Sequence, residues 1–201
     1  MANRRAFLIL CCGSLLSLFT RPSRAETPSD RAVAFVRMTG DQIVKAMQSA
    51  GSVDDRRKIV GAIIDRAIDV DGVARFCLGR YWRTATPDQQ QRYTLLFHEV
   101  LITNITSKLG EYQEVKLTVG RSQPRDDTEI VTSVIERPNN PPTTVEWVVA
   151  NAAVAPRVID VIAEDTSLRI TQRSDYASFL SHNNNDVDRL IVAMKQQLAQ
   201  N

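Results

Sequence analysis

Cysteine and histidine are scarce in this chain of 201 residues, which has 3 cysteines and 2 histidines. Cys11 and Cys12 lie in an apolar N-terminal run that we expect to be removed, so Cys77 remains as a single thiol that cannot form an internal disulfide. His98 and His182 lie far apart, without the cysteine or carboxylate spacing of a zinc site. The sequence therefore predicts no metal and no cofactor, and the stability has to come from a packed core.

Catalytic motifs are missing as well. The chain has no G-x-S-x-G elbow, no H-E-x-x-H, no G-x-G-x-x-G and no phosphate-binding loop. One acid, Asp160, lies within the apolar segment Val158 to Ala163 and could serve an isomerase-like enzyme with a cone-shaped α+β fold. A local hydrogen bond or a solvent-facing position explains Asp160 without a catalytic role. We expect that the protein is not an enzyme, and the isomerase-like enzyme is the alternative.

The N-terminal 25 residues have the three parts of a secretory signal peptide. Arg4 and Arg5 precede an apolar run from Ala6 to Phe19, and Ser23-Arg24-Ala25 resembles a cleavage site. The run is shorter than the roughly 18 apolar residues that a membrane-spanning helix requires. Residues 3–8 also resemble a twin-arginine export signal. The sequence therefore predicts a signal peptide over residues 1–25, of the general secretory or the twin-arginine type, and one exported domain over residues 26–201.

The charge of the exported domain argues against nucleic acid as a partner. Removal of residues 1–25 takes away four of the 25 basic residues and none of the 23 acidic ones, which leaves a net charge of −2. Lysine and arginine are scattered among acidic residues, whereas nucleic-acid binding requires a clustered basic face.

Apolar spacing predicts helices in the first part of the domain and strands after it. Intervals of three and four recur within residues 30–50, 60–68 and 93–109, and Ser52-Val53-Asp54-Asp55 and Thr86-Pro87-Asp88-Gln89 are typical helix starts. After residue 112 the interval changes to two, which indicates four short strands separated by turns, and the tail returns to a helical interval. The predicted fold class is α+β, with helices packed on one face of an antiparallel sheet of about four strands.

Residues 69–90, DVDGVARFCLGRYWRTATPDQQ, form a joint between two of these helices. We expect Asp71 to cap a short helix that Gly79 ends, and Tyr81 and Trp82 follow before the next helix starts at Thr86. Aromatic residues make up only 6% of the chain, so two adjacent ones are notable here. They could hold the helices apart from the sheet with their polar tips near water, or they could simply fill the core.

This joint, taken together with later segments of the chain, resembles the MlaC family, also called the toluene-tolerance family, of periplasmic phospholipid-binding proteins. The matching residues are Leu78 to Pro87, Gln89, Tyr93, Phe97, Tyr112, Asp160 to Glu164, and Ser167-Leu168. Their order and spacing extend over most of the exported domain. Asp165-Thr166 stand where family members commonly have Gly-Val, and aspartate tolerates the left-handed backbone that such a turn requires.

The resemblance implies a curved sheet with an NTF2-like cone shape and an apolar pocket between sheet and helices. It implies a soluble periplasmic carrier that binds phospholipid acyl chains and shuttles lipid between outer-membrane and inner-membrane complexes, which maintains the lipid asymmetry of the outer membrane. The implied partners are phospholipid as cargo, an inner-membrane ABC transporter with an MCE-domain protein, and an outer-membrane lipoprotein–porin complex. A related branch carries hopanoid-type lipids, and the residues here are compatible with it.

Twelve residues on faces expected to point inward are the candidates for lipid binding. Acyl chains require apolar side chains without charge, so the candidates come from the helical joint, the long helix and the strands. They are Phe76, Tyr81, Trp82, Tyr93, Phe97, Val100, Leu101, Ile105, Val131, Val145, Trp147 and Val149.

Overall fold

The computed structural model describes residues 26–49, 51–109 and 114–200. The predicted signal peptide, residues 1–25, and Tyr112 of the family resemblance lie outside these ranges. Within them, no helix is both long enough and apolar enough to cross a membrane.

Along the chain, helices precede and follow a central run of strands, in the α+β order that the sequence predicts. The helices are α1 (Pro28–Gln48), α2 (Val53–Ala67), α3 (Val70–Leu78), the 3-10 helix Gly79–Arg83, α4 (Pro87–Leu109), α5 (Leu168–His182) and α6 (Val187–Ala199).

Hydrogen bonds between residues close in sequence cap the N-termini of several of these helices. At the start of α2, the Ser52 hydroxyl accepts from the Asp55 backbone N–H while the Asp55 carboxylate accepts from the Ser52 N–H. At the start of α4, Gln89 N–H donates to Thr86 Oγ1 at 3.2 Å, and Thr86 N–H donates to the Gln89 side chain at 2.9 Å. Both predicted helix starts are confirmed, and each has the reciprocal hydrogen bonds of a capping box. The cap of α3 is Asp69, whose side chain accepts from Gly72 N–H, so the prediction of Asp71 was wrong.

The strands form one antiparallel sheet whose spatial order follows the sequence, β1-β2-β3-β4-β5. The strands are β1 (Lys116–Arg125), β2 (Thr128–Arg137), β3 (Asn140–Ala150), β4 (Arg157–Ala163) and β5 (Thr166–Ser167). The first four correspond to the predicted meander, and the two-residue β5 adds a fifth. Register shifts interrupt the pairing of β1 with β2, β2 with β3 and β3 with β4. Such bulges bend the strands in which they occur, as a curved sheet requires.

The β4–β5 turn explains how Asp165 replaces the glycine that is common in the resembled family. Glu164 and Asp165 both have positive φ angles, 50° and 61°. Two consecutive positive angles are typical of a type I′ hairpin turn, which favours glycine, asparagine and aspartate. The expected tolerance of aspartate for a left-handed backbone at this turn is confirmed.

Three clusters of apolar side chains form the core, and α1 and α4 each contribute to two of them. The helical cluster joins α3, α4, α5 and α6. The α1–sheet cluster joins the first half of α1 to β1, β2 and β3. The α2–α4 cluster joins the second halves of α1 and α4 to α2. Because α1 and α4 pass from one cluster to another, they hold the sheet and the helices together.

Candidate functional site

The aromatic joint lies inside the helical cluster. Gly79 ends α3 with a φ of +60°, and the chain then turns so that the Tyr81 side chain is only 5% exposed. The Tyr81 hydroxyl donates to Asn185 Oδ1 at 3.0 Å and accepts from the Arg80 guanidinium at 2.8 Å. Trp82 packs edge-on against Tyr93, with ring centroids 6.5 Å apart. The two aromatics therefore fill the core between helices, the second of the roles considered for them.

Six of the twelve candidate residues lie in this helical cluster. Tyr93 is fully buried near its middle, with its ring centroid 6.0 Å from those of Phe97 and Tyr176. Its hydroxyl donates to the Ala74 carbonyl oxygen at 2.9 Å, which satisfies the one polar group of the side chain. The six candidates are Phe76, Tyr81, Trp82, Tyr93, Phe97 and Val100.

The interior of the helical cluster stays uncharged at neutral pH. Burial raises the pKa of the Cys77 thiol to about 12. Burial also raises the pKa values of the Tyr93 and Tyr176 hydroxyls. Because desolvation disfavours the ionised form of each group, none of them supplies a nucleophilic thiolate or a phenolate base.

Three other candidates lie in the α1–sheet cluster, and Trp147 is the most informative of them. Val131 and Trp147 are paired across β2 and β3, so their side chains share one face of the sheet, the face covered by α1. The Trp147 indole N–H donates to Ser133 Oγ at 2.8 Å, and Ser133 is 1% exposed. This bond fixes the orientation of the partly buried ring on the sheet. Val149, fully buried, completes the group.

The remaining candidates are divided between the third cluster and the sheet. Leu101 and Ile105 are partly buried against the α2–α4 cluster. Val145 is 5% exposed on β3, opposite Ser133, and belongs to none of the three clusters. The structure thus distributes eleven of the twelve candidates over the three clusters instead of gathering them along one wall. Their role in lipid binding stays a prediction.

An incompletely covered apolar region runs along α1, where the sheet meets the helices. We call this region the apolar seam and define it by seven apolar side chains, each only partly buried and packed against one of the two α1 clusters. Its members are Phe35, Val119 and Trp147 beside the α1–sheet cluster, and Ile43, Met47, Leu101 and Ile105 beside the α2–α4 cluster. Met38, on α1 between the two groups, is 53% exposed.

Sequence reasoning missed the part of the seam that α1 supplies. Phe35, Ile43 and Met47 recur at helical spacing in the sequence, which identified α1 as amphipathic but did not show what it covers. Gly40 shows how closely α1 approaches β1, because a β-carbon at this position would overlap the Leu117 side chain. The apolar stripe of α1 could have indicated this part of the seam. That β1 packs against α1 could be seen only in the fold.

Asp160 is held by a local network. It is 7% exposed, and its carboxylate accepts from Val161 N–H at 2.8 Å, from Ser167 Oγ at 2.6 Å and from Arg169 N–H at 3.1 Å. Its Oδ2 also lies 3.3 Å from Arg169 Nε. The carboxylate thus joins β4 to the first turn of α5, which agrees with a local hydrogen-bonding role.

A second buried carboxylate, Glu129, anchors the start of α1 to the sheet. Its Oε2 accepts from Ser29 Oγ at 2.8 Å and from Ser122 Oγ at 2.5 Å. Both bonds connect elements that the α1–sheet cluster also joins. In the described ranges, no group of three or more histidine, cysteine, aspartate or glutamate residues is arranged to hold a metal ion.

Comparison with known proteins gives concordant matches in family, sequence and fold. Residues 38–196 match a protein family described as MlaC protein. The toluene tolerance protein ttg2D of Pseudomonas putida is 25% identical over 186 residues, which cover 88% of this chain and 86% of that protein. A phospholipid-binding protein from Ralstonia solanacearum, solved in complex with a phospholipid, has a similar fold with a TM-score of 0.75 and 20% identity. The match covers 84% of this chain and 97% of that one.

Proposed function

The chain belongs to the MlaC family, and from this premise we propose that it is a periplasmic carrier whose apolar seam opens onto the binding site for phospholipid acyl chains. Lipid transport, rather than catalysis, is the proposed activity. The proposal includes the exchange of lipid between an outer-membrane lipoprotein–porin complex and an inner-membrane ABC transporter with an MCE-domain protein. Such exchange would maintain the lipid asymmetry of the outer membrane.

The observation that carries the proposal is the apolar seam between the sheet and the helices. Its side chains come from α1, α4 and two strands, and all of them remain only partly buried. Leu101, Ile105 and Trp147 belong both to the seam and to the twelve candidates predicted from the sequence. Apolar surface of this kind, left incompletely covered where layers meet, is where an apolar ligand can be accommodated.

The physical requirement for a lipid carrier is an apolar and uncharged binding surface. Moving a two-chain phospholipid through water exposes about 30 methylene groups, each costing about 0.8 kcal/mol, or about 25 kcal/mol in total. The site must therefore be nearly as apolar as the bilayer, so that lipid can enter and also leave. The seam side chains are all hydrocarbon, thioether or indole groups, and the indole N–H of Trp147 is already bonded to Ser133.

The isomerase-like alternative receives no support from the setting of Asp160. Its two carboxylate oxygens are occupied by Val161, Ser167 and Arg169. A general base requires a free oxygen within hydrogen-bond reach of the substrate.

Lipid analysis of the purified protein tests the proposal. We expect that protein purified from the periplasmic fraction without detergent contains phospholipid, detected by organic extraction and mass spectrometry. An extract with no lipid would contradict the proposal and favour an adaptor with a filled core. An extract dominated by hopanoid-type lipids would contradict the phospholipid assignment while retaining the carrier function.

A charge placed in the seam tests where the lipid binds. Replacing Ile105 with lysine introduces an unpaired ammonium group, whose desolvation costs several kcal/mol, so we expect lipid content to fall by about tenfold or more. Leu95, on the same helix but 63% exposed, provides the matched control, and Leu95→Lys should retain its lipid. Equal losses in the two variants would show that the seam is not the site. Circular dichroism establishes that both variants are folded.

A further inference from the structure

A group of arginines surrounds the start of α5 and the end of α3, outside the apolar seam. The guanidinium carbons of Arg169 and Arg173 lie 4.5 Å and 4.8 Å from the centroid of the Phe76 ring. On the same helix as Phe76, the Arg75 guanidinium carbon lies 5.7 Å from the Trp82 ring centroid. We call Arg75, Arg169 and Arg173 the arginine patch.

Glycine at position 79 allows Arg173 to approach the end of α3 closely. Gly79 is the C-cap of α3, and its N–H donates to the carbonyl oxygen of Arg75 in the last turn of that helix. The Arg173 guanidinium packs against Gly79, where a β-carbon would lie 3.2 Å from Arg173 Nε. The positive φ of Gly79 and this close approach both favour glycine. Arg173, from α5, therefore lies against the end of α3, whose last turn carries Arg75.

The positive charge of the patch is only partly compensated. Arg169 pairs with the buried carboxylate of Asp160 at 3.3 Å. Arg75 and Arg173 are exposed, and neither has a carboxylate oxygen within 4.0 Å among residues 26–49, 51–109 and 114–200. Stacking on aromatic rings holds these side chains in a limited set of conformations, which reduces the entropy lost when they bind an anion.

The composition of the patch fits a protein surface better than a membrane surface. It contains arginine and aromatic groups without lysine, and the exposed Ile170 lies three residues before Arg173 on the same helix. Arginine, aromatic and exposed apolar residues together are characteristic of protein interfaces.

We propose that the arginine patch is a docking surface for a carboxylate-rich face of a partner protein. Guanidinium groups bind carboxylates through paired N–H donors, and Ile170 would supply apolar contact at the edge. The proposal rests on the proposed carrier function, since a carrier must dock on the proteins that supply and accept its lipid. The patch lies on α3 and α5 and the seam lies along α1, so docking and lipid binding can be tested separately.

A charge-reversal experiment tests the docking surface with a short fluorescent oligoglutamate peptide as the probe. We expect the Arg75→Glu/Arg173→Glu double variant to bind the peptide at least about tenfold more weakly than the unchanged protein, because two charge-assisted contacts become repulsive. The control is Arg121→Glu/Arg125→Glu, which makes the same change of charge at two exposed positions on β1. We expect the control to weaken binding less than about twofold.

Three outcomes would overturn the proposal. Equal weakening in both double variants would indicate that the peptide responds to the overall charge of the protein and is not held at the arginine patch. Failure of the unchanged protein to bind the peptide would show that the patch does not recognise carboxylates. Arginine-dependent flotation with phosphatidylglycerol vesicles, without peptide binding, would assign the patch to a membrane surface.

Two further measurements keep docking, folding and lipid binding distinct. The single variant Arg173→Gln removes one charge at an exposed position, and its peptide affinity should fall between those of the unchanged protein and the double variant. Lipid content is measured on every variant by extraction and mass spectrometry. Loss of peptide binding with lipid retained supports docking through the patch, whereas absence of lipid from all the proteins, the unchanged one included, would contradict the carrier function alone.

Discussion

Replacement of Asp160 by asparagine provides a sharp test of its assigned role, because the two side chains have nearly the same shape. The side chain of Asp160 is 5% exposed, and that of its ion-pair partner Arg169 is 27% exposed. Asparagine can still accept from Val161 N–H and Arg169 N–H through its oxygen. It cannot accept the Ser167 hydroxyl hydrogen through its amide nitrogen, and it places no negative charge beside Arg169.

The expected loss of stability follows from these two missing interactions. A hydrogen bond to a charged group contributes about 1.5–3 kcal/mol, and removal of one partner from a buried ion pair costs about 3–5 kcal/mol. Because asparagine retains part of the network and Arg169 still stacks on Phe76, we expect the free energy of unfolding to fall by about 2–3 kcal/mol. For a domain of this size, that corresponds to a Tm lower by about 4–12 °C.

Urea unfolding followed by circular dichroism measures the difference. Lipid has to be removed from both proteins first, because a ligand that binds only the folded state raises the apparent stability. The matched control is Asp127→Asn at the exposed β1–β2 turn, for which we expect a change below about 0.5 kcal/mol. A double-mutant cycle with Arg169→Gln should show that the two side chains are coupled.

A loss below about 0.5 kcal/mol for Asp160→Asn, or additive effects in the cycle, would refute the structural role of the carboxylate. We also expect the lipid content of Asp160→Asn to match that of the unchanged protein when both are purified from the periplasm. A folded variant that had lost an enzymatic activity of the unchanged protein would instead support the isomerase-like alternative.

Three more predictions concern single groups. The buried thiol of Cys77, with its pKa raised by burial to about 12, should not react with a thiol reagent at about pH 8 until the protein is unfolded, and fast reaction in the native state would contradict its burial. Gly79→Ala should lower the free energy of unfolding by about 1–3 kcal/mol, because φ is +60° and ψ is −128° there, and an unchanged urea midpoint would contradict this. Hydrogen bonds from Gln89 and Arg92 hold the pKa of Asp188 below its ordinary value, so its stabilising effect is present above the unfolded pKa and is lost as the pH falls through the folded pKa. An NMR titration in which Asp188 protonates at its ordinary pKa would contradict that reasoning.

Most helices and strands could be predicted from the sequence, because the residue patterns that specify them are local. The start of α4 depends on Thr86, Pro87 and Gln89, which lie within four consecutive positions. The turn at Glu164 and Asp165 likewise depends on backbone preferences of adjacent residues. The misplaced cap of α3 shows the limit of this approach, because Asp69 and Asp71 both lie near its start and only the backbone geometry selects Asp69.

Local sequence patterns could not predict which of the candidate side chains pack together in one cluster. Phe97 and Leu101 are four residues apart on α4 and share a helical face, yet they pack in different clusters because the neighbours of α4 change along its length. The hydrogen bond to Ser133 orients the Trp147 indole. The register of β2 and β3 makes this bond possible, because it places Ser133 opposite Val145, two residues before Trp147.

The sequence by itself therefore determined the order of helices and strands, the α+β class and the family, all of which depend on residues close together along the chain or on their order. The tertiary structure alone decided which apolar side chains meet, which remain partly exposed along α1, and how arginines from α3 and α5 converge. These outcomes depend on packing between residues far apart in the chain, and no local spacing encodes which distant surface each side chain will contact.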